Sequence, residues 1–284
     1  MNDEKYRYRR LAYIITGILI PIFALLLLIL GLATFKGGGK PVVITSIVIF
    51  VLAIIYYFFA QVKIFSLKNR YKEFVISDAF LTYQFDYYSR QLGIMSNKYK
   101  IDKYEFEDLN YYKTRPDYKF YCNELVVGSI RDVQFRSEDY KYLTDKGNTN
   151  KCGRIYALNL KSDEAFKLII TKEDYSTNLK KMDINLGNYN VYTNNIDLAS
   201  KYILVDKFME NITKLEEFGP LFFEVYNRSL YLIIDRIKNS FIIEDREYFD
   251  IQGDVENEIM IINGIIDSFK FTMPEKKEKP FIIK

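Results

Sequence analysis

The sequence predicts an α+β protein: an N-terminal two-helix transmembrane hairpin followed by a soluble region in which an antiparallel sheet is flanked by helices. Three observations predict it. Residues 11–35 and 42–62 carry no charged side chain, and each run is long enough to cross the roughly 30 Å hydrocarbon core of a bilayer. Residues 111–173 change to short runs in which apolar and polar side chains alternate, the period of half-buried strands. Two later stretches, 197–219 and 254–269, return to the helical period.

Taken in order, residues 1–10 are a basic N-terminus, 11–35 the first transmembrane helix, 36–41 a turn and 42–62 the second helix. Residues 63–88 keep helical character, with Leu67, Tyr71, Phe74 and Val75 on one side, and lead into the body. Lys5, Arg7, Arg9 and Arg10 precede the first helix and Lys63, Lys68, Arg70 and Lys72 follow the second, whereas the turn carries only Lys36 and Lys40. The positive-inside rule then places the N-terminus and the C-terminal body in the cytoplasm and the turn outside, in a multi-pass protein of the cell membrane. Tyr6, Tyr8 and Tyr13, with Tyr56, Tyr57, Phe58 and Phe59, suit an aromatic belt at that inner interface. Pro21 is tolerable in a membrane helix and should kink it. The first run is longer than the apolar region of a cleaved signal peptide.

The stretch "KGGGK" (36–40) is not a phosphate loop. Lys40 is followed by Pro41 where such a loop needs Ser or Thr, and a membrane helix stands where a strand is required. Glycine permits the reversal and Pro41 starts the next helix.

In the body, 89–270, "YKFYCNELVVGSIRDVQFRSEDYKYL", "GRIYALNL" and "AFKLIITK" read as strands, with "TDKGNTNKCG" a loop between them. "NYNVYT" is a further strand. "DLASKYILVDKFMENITKLEEFG" is one broken helix or two consecutive ones, stopped by Gly219 and Pro220. "LFFEVYNRSLYLIID" is a hairpin with "NRS" at its tip. The last helix aligns Val255, Ile259, Ile262, Ile266 and Phe269, with Asp254 as its N-cap. The body divides into two subdomains, about 89–180 and 181–270, or forms one; residues 271–284 are a charged flexible tail.

Several of these stretches carry a likeness. "GIMSNKYKIDKYEFEDLNYY", "LVVGSIRDVQFRSEDY" and "VYTNNIDLASKYILVDKFMENITKLEEFG" follow the hairpin in an order that resembles the bacterial domain of unknown function 3137 family. The resemblance spans roughly residues 65–270 and implies paired membrane helices followed by an α+β cytoplasmic region. It departs where the family has Glu-Ala-Arg-Tyr and this chain has Ala199, Ser200, Lys201 and Tyr202, so any role of that glutamate is absent. It adds no catalytic residue.

Composition narrows the chemistry. There is no histidine, which removes His-based triads and His-containing zinc sites. Cys122 and Cys152 are expected to be reduced thiols in a cytoplasmic body. Asp108, Glu124, Asp132, Glu138 and Asp139 are the acids able to serve as acid and base or to hold Mg²⁺, but single acids on alternating strands are expected on solvated faces. Residues 1–65 hold seven basic and two acidic side chains and the remainder 33 and 35, so the soluble part is slightly acidic and lacks a footprint for nucleic acid. Between Lys98 and Lys119 six cations face five acids, and tyrosines stacked on a sheet face explain that aromatic stretch without bases. The spans hold only hydroxyls, Thr16, Thr45 and Ser46, rather than the buried charge of a transporter.

No catalytic, cofactor-binding or metal-ligating residue is expected, and no cofactor. The expected function is a membrane-anchored binding or scaffold protein. Its partners are membrane lipids along the two helices and a partner protein or the inner membrane surface, and a homo-oligomer is compatible. A carboxylate-dependent hydrolase or transferase, and a lipid-handling protein with an apolar groove beside residues 206–218, are the alternatives.

Overall fold

The computed structural model describes residues 3–33, 39–88, 108–113, 119–143, 149–160, 166–175, 178–236, 241 and 248–271. Half of the turn at 36–41, the start of the body from 89, most of the aromatic stretch 98–121, part of the loop at 144–153 and nearly all of the tail at 271–284 lie outside the described residues. The chain forms two compact units, the first ending at Val75 and the second starting at Ile76.

The first unit is helical. α1 spans Asp3–Ala33 and contains Pro21; α2 spans Lys40–Leu81, an unbroken 42 residues. Over the helical linker expected at 63–88, α2 runs on to Leu81, and a turn over 82–85 ends it. The two helices are antiparallel in constant register. The Tyr6 ring stacks on Tyr71 with centroids 4.0 Å apart, a methyl on Gly17 would lie 3.2 Å from Ala60 Cβ, and one on Gly31 would overlap Ser46. That register sets Ala24 level with Ala53. Gly17, Ala24 and Gly31 on α1, and Ser46, Ala53 and Ala60 on α2, recur at heptad spacing and are all buried. Small residues at that period let two backbones approach closely where helix packing, rather than hydrophobicity, drives association.

Ser46 Oγ and Thr45 Oγ1 donate to the carbonyls of Val42 and Pro41, both at 2.9 Å. Thr16 Oγ1 donates to the Ala12 carbonyl at 2.8 Å and accepts from the Tyr56 hydroxyl at 2.9 Å. The large apolar side chains point away from the seam: Phe23, Leu30, Ile44 and Phe58 are each more than 60% exposed. Both helices are long and apolar enough to cross a membrane.

Because Gly31 has no room for a side chain, Gly31→Leu is expected to cost about 1–3 kcal/mol of close pairing. A disulfide between Ala24→Cys and Ala53→Cys, in a background with Cys122 and Cys152 changed to Ala, should form readily and lose several-fold in yield when Gly31→Leu is added. An unchanged yield would remove the seam.

The second unit is built on one antiparallel sheet of nine strands in the order β1-β2-β3-β4-β9-β8-β5-β7-β6. The strands are β1 (Asp86–Tyr88), β2 (Lys119–Ile130), β3 (Val133–Leu143), β4 (Thr149–Asn159), β5 (Leu168–Thr171), β6 (Lys180–Leu186), β7 (Tyr189–Thr193), β8 (Leu221–Tyr226) and β9 (Ser229–Arg236). α3 (Asn110–Lys113) precedes β2; α4 (Ile196–Tyr202) and α5 (Val205–Glu216) follow β7; α6 (Tyr248–Ser268) follows β9. The early and late strands interleave, since β4 pairs with β9 and β5 lies between β8 and β7. The division near residue 180 therefore does not separate two sheets.

Two of the tight hairpins in the sheet share one turn geometry. Arg131 and Asp132 turn β2 into β3 with φ of 50° and 63°, and Asn227 and Arg228 turn β8 into β9 with φ of 45° and 62°. Two consecutive left-handed residues match the twist of the strands. Arg is not a favoured residue there, and at the first turn tertiary contacts support it: Arg131 Nη1 binds Asp267 Oδ1 at 2.6 Å and Nη2 binds Asn263 Oδ1 at 3.0 Å, both on α6. The expected "NRS" tip is the second turn.

The break between α4 and α5 falls at Ile203 and Leu204, where Ile203 bridges to Phe269. Asn195 caps α4 by accepting from Leu198 N at 3.1 Å. Asp254 does not cap the last helix, because α6 already starts at Tyr248.

Both faces of the sheet are covered. On one, α5 and α6 bring Phe208 and Phe269 onto Phe223, with centroids 5.5 and 5.6 Å apart. On the other, Leu109 just before α3 and Tyr111 within it join Cys122, Tyr140, Ile155, Tyr192, Phe222 and Tyr231 in a second buried cluster. A sheet apolar on both faces explains why strict alternation weakens in β5, β8 and β9.

Candidate functional site

The helix-covered face holds a buried polar centre around Arg154. β3 and β4 pair so that Asp139 stands opposite Arg154 and Ser137 opposite Tyr156, which puts all four side chains on one face. Arg154 is fully buried. Its Nε donates to Glu258 Oε1 of α6 at 2.7 Å, Nη1 to Asp139 Oδ1 at 2.9 Å and to the Glu124 carbonyl at 3.2 Å, and Nη2 to Ser137 Oγ at 2.9 Å. Ser137 also donates to Glu258 Oε1, and Tyr156 to Glu258 Oε2 at 2.8 Å. Arg236 Nη2 reaches the Tyr156 hydroxyl at 3.1 Å. The Phe241 ring lies over the guanidinium, 5.0 Å from Cζ.

A bulge supplies the Glu124 carbonyl. Between the pairs Asn123–Asp139 and Val126–Ser137, two residues of β2 stand against Glu138 alone, and Glu124 takes φ of 57°. This left-handed backbone is costly for a non-glycine residue. It is held on both sides, because the Glu124 carboxylate accepts a short bond from the Tyr87 hydroxyl of β1.

Electrostatics favour a locked ion-pair network. Burial works against the charge on Arg154, but Glu258 and then Asp139 outweigh it and keep the guanidinium above its ordinary value. Burial first, and then the negative charge of Glu258, raise the Tyr156 phenol. Arg154, Asp139 and Glu258 are each at most 2% exposed, so neither carboxylate is open to a substrate, and their arrangement fits clamping α6 to the sheet.

The opposite face carries a second centre that is partly open. Tyr111 and Tyr140 both donate short hydrogen bonds to Asp235 Oδ1, and burial, followed by Tyr111 and Asp235, pushes the Tyr140 phenol well up. Glu224, buried on β8, accepts from Asn110 N at 3.0 Å and Asn110 Nδ2 at 2.7 Å, tying the N-terminal turn of α3 to the sheet. Beside Asp235 opens a cleft of about 570 Å³, lined by Tyr111, Tyr175 and Phe222 and, at its rim, by Lys172, Asp174 and Glu216. At the rim Lys172 Nζ and the Tyr189 hydroxyl bind Glu216 Oε1 at 2.8 and 2.6 Å. Burial would raise the Glu216 carboxyl, but these two bonds hold it below the usual range. Chemically the cleft offers carboxylate acceptors and aromatic walls.

The acids singled out from sequence separate into two groups. Asp108 and Asp132 are exposed, with Asp108 accepting from the Tyr226 hydroxyl at 3.1 Å. The solvated-face expectation fails for Glu124, Glu138 and Asp139, which are at most 9% exposed, because β3 is covered on both faces and the Glu124 carboxylate on β2 lies against Tyr87 of β1. Of the three, only Asp139 sets its carboxylate on Arg154. Arg154, Glu258, Glu224 and Asp235 carry the two centres and were not anticipated. Their signal was a charge at an inward position: Arg154 within "GRIYALNL", and Glu258 on the stripe between Val255 and Ile262.

Cys122 and Cys152 are both free and buried. Cys122 pairs with Tyr140, and Cys152 with Lys141 and Arg236, which sends them to opposite faces of the sheet. They cannot form a disulfide without rebuilding it. Among the described residues no group of His, Cys, Asp and Glu could hold a metal ion. No known protein family, curated protein or solved structure matches the chain.

Proposed function

We propose that the chain is a membrane-anchored protein whose hairpin spans the cell membrane, with its N-terminus and α+β body in the cytoplasm, and whose body acts as a binding or scaffold module for a partner protein. One observation carries the anchoring: two antiparallel helices, sealed against each other by small residues, turn large apolar side chains outward along their length. In water such a surface would far exceed the apolar patch a monomer tolerates; in hydrocarbon it is the expected exterior. The cytoplasmic orientation rests on the basic flanks. Membership of the domain of unknown function 3137 family belongs to this proposal and contributes the order of hairpin and body.

The binding role is favoured over catalysis by the closure of the Arg154 centre. The Asp235 cleft is the place where a ligand would meet the body. The lipid-handling alternative loses its groove beside α5, since Phe208, Ile212 and Leu215 are packed. Tethering suits a binding module because confinement raises its effective concentration towards other membrane components.

Protease added to intact cells should leave residues 76–284 uncut, and the same protease on inverted membrane vesicles should digest them; cleavage from outside would reverse the orientation. Extraction in mild detergent followed by affinity purification should bring down a stoichiometric partner, and repeated recovery of the chain alone would count against the scaffold role.

A further inference from the structure

The register of the hairpin places two sets of basic side chains at one level. Because Tyr6 stacks on Tyr71 and Gly17 meets Ala60, Arg9 lies level with Lys68, and Lys5 and Arg70 lie within a turn of them. Lys5, Arg9 and Arg70 are exposed and Lys68 is half-buried. Among the described residues none of the four has an acidic partner. Lys63, also exposed, sits nearer the apolar segment with its ammonium 5.2 Å from the centroid of the Phe59 ring. From Lys63 to Arg70 the band is about 10 Å deep along the axis. It begins where the uncharged run of α2 ends, at the depth of lipid phosphates if that run fills the hydrocarbon.

Like charges at one level of two packed helices repel, and although Glu4 and Glu73 stand near that level, none of the four cations is held in an ion pair among the described residues. We infer that Lys5, Arg9, Lys68 and Arg70 form a basic collar that binds the phosphates of anionic phospholipids around the base of the hairpin. The collar attracts such lipids by charge, and each cation near an anionic surface contributes about a fivefold preference at low salt. Lys63 anchors its inner edge, its aliphatic stem along Phe59 and its ammonium directed to the headgroups. The inference rests on the membrane-spanning proposal above and adds the lipid class that the hairpin selects.

The test uses the full chain reconstituted into phosphatidylcholine bilayers, with spin-labelled phosphatidylglycerol and spin-labelled phosphatidylcholine as probes. The motionally restricted fraction should be several-fold higher for phosphatidylglycerol, and the preference should collapse as salt is raised. It should also collapse in the variant combining Lys5→Gln, Arg9→Gln, Lys68→Gln and Arg70→Gln. A variant with Lys5→Arg and Lys68→Arg should keep it, which separates charge from folding. Equal restriction of the two lipids by the native chain, or a preference that survives neutralisation, overturns the collar. Failure of the chain to enter the bilayer at all, seen as release by alkaline carbonate, overturns the membrane-spanning proposal instead.

Discussion

Arg154→Met is expected to destabilise the body by about 3–5 kcal/mol, a large share of the roughly 5–15 kcal/mol that holds a domain together. The loss comes from what remains. Asp139 and Glu258, both fully or almost fully buried, would be left without the guanidinium that bonds them, and Ser137 would lose its donor. The conservative exchange Arg154→Lys should recover only part of the loss, because one ammonium cannot reproduce a planar fork reaching β2, β3 and α6 together. Adding Asp139→Leu and Glu258→Met to Arg154→Met should restore much of the stability, since a well-packed apolar set can replace a buried ion pair. Urea unfolding of the detergent-solubilised full chain, followed by circular dichroism, measures all three. A loss below about 1 kcal/mol for Arg154→Met, the size of an exposed ion pair, would show that the centre is not the clamp described.

Gly153→Ala is the second large effect. A methyl there would overlap the Ile234 carbonyl oxygen on β9 and approach the Tyr140 hydroxyl to 2.8 Å. A backbone oxygen in the middle of a sheet cannot move aside as a side-chain tip can, so the cost is placed at the upper end of overpacking, about 3 kcal/mol. The damage should be local to one face. Tyr140 shares its buried cluster with Cys122, whereas Cys152 points to the other face and bonds to the Arg236 carbonyl at 3.0 Å. Labelling with a thiol reagent should therefore accelerate several-fold at Cys122 and change much less at Cys152. Equal acceleration at both would indicate global loosening.

Long-period features were legible from composition alone. Two uncharged apolar runs read as helices able to cross a membrane whatever they pack against, because backbone groups in hydrocarbon must be satisfied within the helix. Alternation announced the strands of β2, β3 and β4, and Gly219–Pro220 announced the end of α5. The seam was written as Gly17, Ala24 and Gly31 against Ser46, Ala53 and Ala60, yet small residues inside an apolar run do not announce their partner until the register is known. The candidate site was nearly illegible. Asp139 looks like any strand acid, and what buries it is α6, more than a hundred residues away.

The sequence by itself determined which segments are helical or extended, where the apolar surface lies and which flanks are basic, since these follow from local periodicity and the cost of leaving charge or backbone unsatisfied. Only the tertiary structure decided that β4 pairs with β9, that Cys122 and Cys152 part to opposite faces, and that Arg154 meets Asp139 and Glu258. Those outcomes depend on strand register, and a shift of one residue would have turned each side chain to the other face.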